Sequence, residues 1–212
     1  MNAFVLAGGQ STRMGRDKAL LPFAGRALVE HMLDRLRSLD LEPRICGSRP
    51  DLARFAQVIP DETAHRGPLS GLCAALAVSD SDLNLFVPVD LPMIPPGFLR
   101  WLRARAETSQ ALATIPRYGG RPQPLCAVYS RRLREGLHNF LVEGNFKVMT
   151  AIQGSVASLG EPIDAFDVES VASTSPAGWP QDTLLTNWFR NVNTLADYDA
   201  LRQRLEQMAV IQ

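Results

Sequence analysis

Leu6-Ala7-Gly8-Gly9-Gln10-Ser11-Thr12-Arg13-Met14-Gly15-Arg16-Asp17-Lys18 is the stretch on which the reading of this chain turns. An apolar run, Ala3 to Leu6, precedes it, so it reads as a strand emptying into a glycine-rich turn that carries an arginine and a lysine. Glycine lets backbone N–H groups approach an anion closely and admits positive φ. Arg13 and Lys18 put two cations where a triphosphate would sit. Two familiar loops are excluded by spacing. No Gly-Lys-Ser/Thr follows the glycines, as an ATPase loop requires. Gly8 and Gly9 are adjacent rather than alternating, which removes the dinucleotide fingerprint and with it hydride transfer on a nicotinamide. A plain βα turn with solvated charges is the bland alternative. The register of Arg13, Met14, Gly15 and Lys18 favours a third kind of phosphate loop.

Outward from this loop, strand-like apolar runs alternate with segments of helical period, the pattern of βαβ units and a mainly parallel sheet. Leu28, Met32, Leu36 and Leu39 form one apolar helical stripe. Short strands follow at Arg44–Cys46 and Gln57–Ile59, and Gly67-Pro68 opens a helix through about Val78. Leu83–Val89 is the most strand-like run, and another helix starts at Pro95-Pro96. Beyond it, Ala111–Ile115 and Leu125–Tyr129 read as strands flanking a polar loop, with helices at Leu133–Leu141 and Phe146–Ile152. Ser170–Asn187, rich in Ser, Thr, Pro and Gly, reads as a mobile surface loop. Phe189–Val192 reads as a last strand, and Thr194 with Asp197 as a capping box. The expectation is one domain over 1–212, with a nucleotide-binding half of about 1–110 and an acceptor-binding half of about 111–212.

Composition narrows the class. The 212 residues are 46% hydrophobic and 21% charged, as in an ordinary folded protein rather than a disordered one. Twenty-two Lys and Arg balance 22 Asp and Glu, so no global field attracts nucleic acid or an anionic membrane. Cys46, Cys73 and Cys126 are widely spaced and apolar in context, which argues against a disulfide framework or a zinc site. Neither a leader segment nor a membrane-length apolar run is evident, so the cytoplasm is the expected compartment.

Phe86-Val87-Pro88-Val89-Asp90-Leu91-Pro92-Met93 is the second informative stretch. Ligands of open α/β sheets bind beyond the carboxyl ends of strands, and Asp90 falls there. Its carboxylate suits Mg²⁺, a hard cation that takes oxygen ligands shared with substrate phosphates; a turn-capping aspartate is the alternative. Asp61 lies at the same edge, suited to ribose or base or to its own turn. Gly67, Pro68 and Leu69 open a helix whose N-terminus favours an anion. Arg121 and Gln123, in a flexible Tyr118–Pro124 turn, and Asn191 and Asn193 are weaker candidates for the acceptor substrate. No serine, cysteine or histidine has the context of an activated nucleophile. That suits phosphoryl chemistry in which the substrate attacks and the protein positions it and neutralises charge.

The first loop, Pro60-Asp61, Gly67-Pro68-Leu69-Ser70-Gly71, Val89-Asp90-Leu91-Pro92, Arg121–Leu125 and Phe189–Thr194 follow in an order that resembles the molybdenum cofactor guanylyltransferases of the nucleotidyltransferase superfamily. The resemblance implies a three-layer α/β/α Rossmann-like nucleotidyltransferase fold with a mainly parallel central sheet. It also implies transfer of GMP from GTP to molybdopterin or the molybdenum cofactor, with Mg²⁺ (or Mn²⁺ in its place). By the same resemblance Leu6, Ala7, Gly8 and Lys18 bind nucleotide, Asp61 contacts GTP and Asp90 binds the metal; Gly9 and Arg13 are expected to join them in binding nucleotide, and Arg13 and Lys18 to act with Asp90 in catalysis. Other cofactor-biosynthesis proteins and molybdoenzyme chaperones are the protein partners it suggests. Where some relatives place an asparagine that contacts nucleotide, this chain has Cys46, a poor hydrogen-bond partner. Alternatives within the fold are a molybdopterin cytidylyltransferase or a sugar- or alcohol-phosphate nucleotidyltransferase. A non-catalytic nucleotide-binding module is the alternative of another class.

Overall fold

A computed structural model describes residues 1–8, 17–63, 66–174, 179–180 and 184–210. The elements in chain order are β1 (Asn2–Leu6), β2 (Pro22–Phe23), β3 (Arg26–Ala27), α1 (Leu28–Arg37), β4 (Pro43–Cys46) and β5 (Val58–Ile59). Then come α2 (Pro68–Val78), β6 (Leu83–Pro88), α3 (Pro96–Ser109), β7 (Ala113–Tyr118), β8 (Arg121–Pro122) and β9 (Ala127–Ser130). The chain closes with α4 (Arg134–Val142), α5 (Val148–Ser158), β10 (Asp164–Asp167), α6 (Val168–Thr174), α7 (Leu185–Trp188) and α8 (Leu195–Val210).

β1 is apolar from Ala3 to Leu6 and β6 from Leu85 to Pro88 because both faces of the sheet are covered, and Asn84 of β6 is buried with its side chain accepting from Ser79 Oγ. Successive side chains of β1 enter opposite cores. Ala3 and Val5 pack with α1 and α3, whereas Phe4 and Leu6 pack with α2, α4 and α5. The result is the expected three-layer α/β/α arrangement. Strand order in the eight-stranded sheet is β10-β7-β9-β6-β1-β4-β5, with β8 paired to β7. β1, β4, β5 and β6 run parallel, so their carboxyl ends share one edge; β9 is antiparallel to both neighbours. The chain builds outward from β1 through β4 to β5, then returns across α2 to place β6 on the other side of β1. That reversal opens a crevice beyond the ends of β1 and β6, the switch point at which such sheets bind ligands.

Three expectations from sequence are corrected. The polar stretch after Ile115 is a hairpin: β7 runs on to Tyr118, turns through Gly119-Gly120 and pairs with β8. Ser170–Asn187 is not all surface loop over its described residues, since α6 occupies 168–174 and Trp179 and Asn187 are buried, as is Trp188 directly after them. Polar composition concealed these anchors; both tryptophans pack on Phe98, at 5.8 and 5.3 Å between ring centroids. Phe189–Val192 is not a strand. Phe189 stacks on Tyr118, and Val192 N–H donates to the Asp90 carbonyl at 3.0 Å, a single backbone bond and not a ladder. The Thr194–Asp197 capping box is present: Thr194 N–H donates to Asp197 Oδ2 at 2.9 Å, and Asp197 N–H to Thr194 Oγ1 at 3.1 Å. Among the described residues no helix is long and apolar enough to cross a membrane.

Candidate active site

Register at the shared edge brings the candidate residues together. Leu6 is level with Cys46 on one side and Pro88 on the other, and Cys46 is level with Ile59. Ala7, Gly47, Pro60 and Val89 therefore leave the sheet side by side. Ala7 N–H donates to the Cys46 carbonyl at 2.9 Å, Gly47 N–H to Ile59 at 3.0 Å, and Val89 N–H to Leu6 at 3.0 Å.

Beyond β1 and β6, Lys18 and Asp90 meet. Lys18 Nζ donates to Asp90 Oδ2 at 3.1 Å and to Asn193 Oδ1 at 2.8 Å. Both members of the ion pair keep 19% side-chain exposure, so the pair is sheltered but open to a ligand. Asn193 is held in turn by its backbone N–H on Asp197 Oδ2 at 3.1 Å. Three separate segments thus converge on one polar centre. Asp90 is a single carboxylate with an amide oxygen nearby, and among the described residues no cluster of three or more His, Cys, Asp or Glu stands together. That donor set fits Mg²⁺, which uses one or two carboxylates and takes its other oxygens from substrate phosphates and water. It does not fit zinc.

Asp61 lies on the β4–β5 side of the crevice. A Cβ added to Gly8 would stand 3.7 Å from Asp61 Oδ2, and one on Gly71 would stand 3.3 Å from Asp61 Oδ1 and 3.5 Å from Leu6 Cδ2. Leu6, Gly8, Asp61 and Gly71 therefore line one concavity. Gly67 heads α2 at φ +72°, a left-handed conformation that glycine adopts without strain, and Pro68 occupies the first turn. Ser70, fully buried, ties the Asp61 turn to this helix: Thr63 N–H donates to its Oγ at 2.9 Å, and Oγ donates to Thr63 O at 3.0 Å. Leu69 is completely buried in the core, which leaves only its backbone to serve a ligand.

Arg13 and Gly9 lie outside the described residues. Arg121 and Gln123 stand on the β7–β8 hairpin, where Gln123 Nε2 donates to Arg121 O at 3.3 Å and Gly119 N–H to Glu169 Oε1 at 2.6 Å. Asn191 is exposed beside the buried Val192.

Several neighbours of the site escaped the sequence reading. Gly47, at φ +142°, packs directly on the Gly8 backbone. Arg35 of α1 donates to Pro92 O at 2.6 Å and to Ile94 O, clamping the turn after Asp90. It also donates to His31 Nε2 at 2.8 Å, so that nitrogen accepts and the neutral ring carries its proton on Nδ1. His31, partly buried, meets Phe23 edge-on at 4.8 Å between ring centroids. Burial, reinforced by the Arg35 charge, lowers its pKa from 6.5 to about 4. Between those values the unfolded chain binds a proton that the folded chain refuses, so His31 erodes stability as pH falls from 6.5 toward 4. Thermal unfolding of His31→Gln is expected to depend less steeply on pH across that window than wild type; identical slopes would remove His31 from the linkage. The cysteines are no nucleophiles. Burial pushes the Cys73 and Cys126 thiols up to about 12, and burial followed by the Asp61 charge raises Cys46 further.

Residues 3–157 match the MobA-like NTP transferase domain. The molybdenum cofactor guanylyltransferase of Syntrophotalea carbinolica is 29% identical over 205 residues, 96% of this chain and 91% of that one. The probable molybdenum cofactor guanylyltransferase of Pyrococcus horikoshii is 35% identical over 158 residues, 71% of this chain and 80% of that one. Among solved structures, molybdopterin-guanine dinucleotide biosynthesis protein A from Archaeoglobus fulgidus has a TM-score of 0.78 at 22% identity. That match covers 98% of this chain and all of the other, and it shows a shared fold.

Proposed function

The chain belongs to the MobA-like NTP transferase domain family, and from that premise we propose that it is a molybdenum cofactor guanylyltransferase. It transfers GMP from GTP to the terminal phosphate of molybdopterin, with or without molybdenum, and releases pyrophosphate. The observation that carries this reading is the Lys18–Asp90 contact at 3.1 Å, set just beyond the paired carboxyl ends of β1 and β6. A simple nucleotide-sensing module would not need a carboxylate there.

In the proposed reaction an oxygen of the acceptor phosphate attacks the α-phosphorus of GTP. The bond from that phosphorus to the bridging oxygen breaks, and its electron pair leaves with pyrophosphate. Lys18 and Arg13 neutralise charge on the phosphates, and the backbone at Gly8 and the start of α2 supplies N–H groups toward them. Asp61 stands beside Gly8 and Gly71, where a nucleoside would lie. Asp90 would hold Mg²⁺, which when bound supplies Lewis-acid charge neutralisation and a template for the reacting oxygens. Arg121, Gln123, Asn191 and Asn193 are assigned to the acceptor side.

The test is purified protein with Mg²⁺, molybdopterin and either GTP or CTP, scored for dinucleotide and pyrophosphate. Product with GTP alone is expected. Product with CTP would overturn the base assignment and keep the chemistry. No product with either would move the acceptor to a sugar or alcohol phosphate.

A further inference from the structure

The turn Gly47-Ser48-Arg49, leaving β4, grips both flanks of the nucleotide loop. At the near flank Gly47 lies against Gly8, so closely that a Cβ on Gly47 would fall 2.8 Å from Gly8 N. At the far flank Arg49 reaches Asp17, 32 residues away in sequence. Arg49 Nη1 donates to Asp17 Oδ1 at 3.1 Å and its Nη2 also pairs with Asp17. The same guanidinium donates to Asp51 from Nε at 2.9 Å and from Nη2 at 2.6 Å. Asp51 sits in the helical turn Pro50–Leu52, fixed to the core by the fully buried Leu52. One arginine therefore joins an anchored carboxylate to the carboxylate just before Lys18.

Asp17 passes the constraint on. Its Oδ1 accepts from Ala19 N–H at 3.0 Å, capping the helical turn Lys18–Leu20 whose Ala19 is buried. Lys18 thus extends from a fixed base, and its Nζ rests between Asp90 and Asn193. An exposed ion pair holds little free energy. Arg49 differs, because its side chain is only 19% exposed and its planar fork engages two carboxylates at once.

We propose that Arg49 is a positioning residue of the nucleotide site: through Asp17 it fixes the backbone from which Lys18 meets the triphosphate. The proposal rests on the nucleotidyltransferase reading. If Lys18 is correctly placed only part of the time, apparent affinity falls by that fraction.

The experiment measures GTP affinity directly by calorimetry with Mg²⁺ on the full chain, alongside thermal unfolding and the KM for each substrate. Arg49→Ala is expected to weaken GTP about tenfold, with KM for the acceptor nearly unchanged. Arg49→Lys restores only part of the loss, because an ammonium cannot span both carboxylates. Asp17→Asn keeps the helix cap but breaks the ion pair, and it weakens GTP in the same direction. In a Lys18→Ala background, Arg49→Ala adds less than about twofold, since both act through one group. Should Arg49→Ala fail to fold, Arg49→Lys and Asp17→Asn complete the same cycle. Wild-type GTP affinity in Arg49→Ala, or an undiminished effect beside Lys18→Ala, would overturn the proposal and leave the nucleotidyltransferase reading standing. Failure of the wild-type chain to bind any nucleoside triphosphate would overturn both.

Discussion

Asp90→Asn is expected to fold as the wild type does and to lose about a thousandfold in turnover with GTP. The two halves of this expectation come from different atoms of one residue. The fold at the end of β6 depends on the Asp90 backbone, whose carbonyl accepts from Val192 N–H at 3.0 Å, and on Arg35, which holds the following turn through Pro92 and Ile94. None of these bonds uses the carboxylate. An asparagine amide oxygen can still accept from Lys18, which also retains Asn193. What the substitution removes is the negative charge, and a hard divalent cation is held chiefly by charge and oxygen geometry. Circular dichroism and unfolding temperature should therefore stay close to wild type. The Mg²⁺ concentration needed for half-maximal pyrophosphate release should rise steeply. Unchanged turnover at the wild-type Mg²⁺ requirement would place the metal on other residues and remove Asp90 from the mechanism.

Asp90 was legible in the sequence because it ends a run that could be little other than a central strand. The same holds for Gly8 and Lys18, which follow β1. In both cases a buried, two-faced strand ends in an apolar run, Ala3–Leu6 and Leu85–Val89, and the edge where it ends is where a parallel sheet binds ligands. Other parts are tertiary in origin and leave no such mark. β10 reads Asp-Ala-Phe-Asp, with Phe166 alone buried. Its first carboxylate is taken up by Arg105, 59 residues earlier, at 2.6 and 2.8 Å, so no local pattern announces it. Trp179 and Trp188 are buried against each other, yet in sequence Trp179 stands among small polar residues that read as a loop. Arg49 carries no local signal, because its partner Asp17 stands 32 residues away in sequence and only the fold brings the two together. Gly47 is the sharpest instance. Its necessity arises from the register of β4 against β1, in which Cys46 lies level with Leu6, and no reading of residues 43–49 alone contains that fact.

Gly47→Ala is expected to cost about a hundredfold in GTP affinity and about 1–3 kcal/mol in stability, a combination that follows from two separable causes. The first is conformational. At φ +142° an L side chain is strained whatever surrounds it, and this acts on stability. The second is collision. The new Cβ would stand 2.8 Å from Gly8 N, 2.9 Å from Gly8 Cα and 3.2 Å from the Ala7 carbonyl carbon. These are backbone atoms, so no rotamer change relieves the contact, and the start of the nucleotide loop must move as a whole. Displacement of phosphate-binding amides by a fraction of an ångström to an ångström is a large effect, because such groups act only when aimed. Gly25→Ala separates the two causes. Gly25 also has positive φ, +81°, but an added Cβ there meets nothing within 4 Å. It should lose stability alone and bind GTP as the wild type does. If Gly47→Ala behaved like Gly25→Ala, with GTP affinity intact, the Gly8 flank would not be set by its packing on β4. A selective loss of GTP binding in Gly47→Ala would instead make the register of two strands part of the nucleotide site.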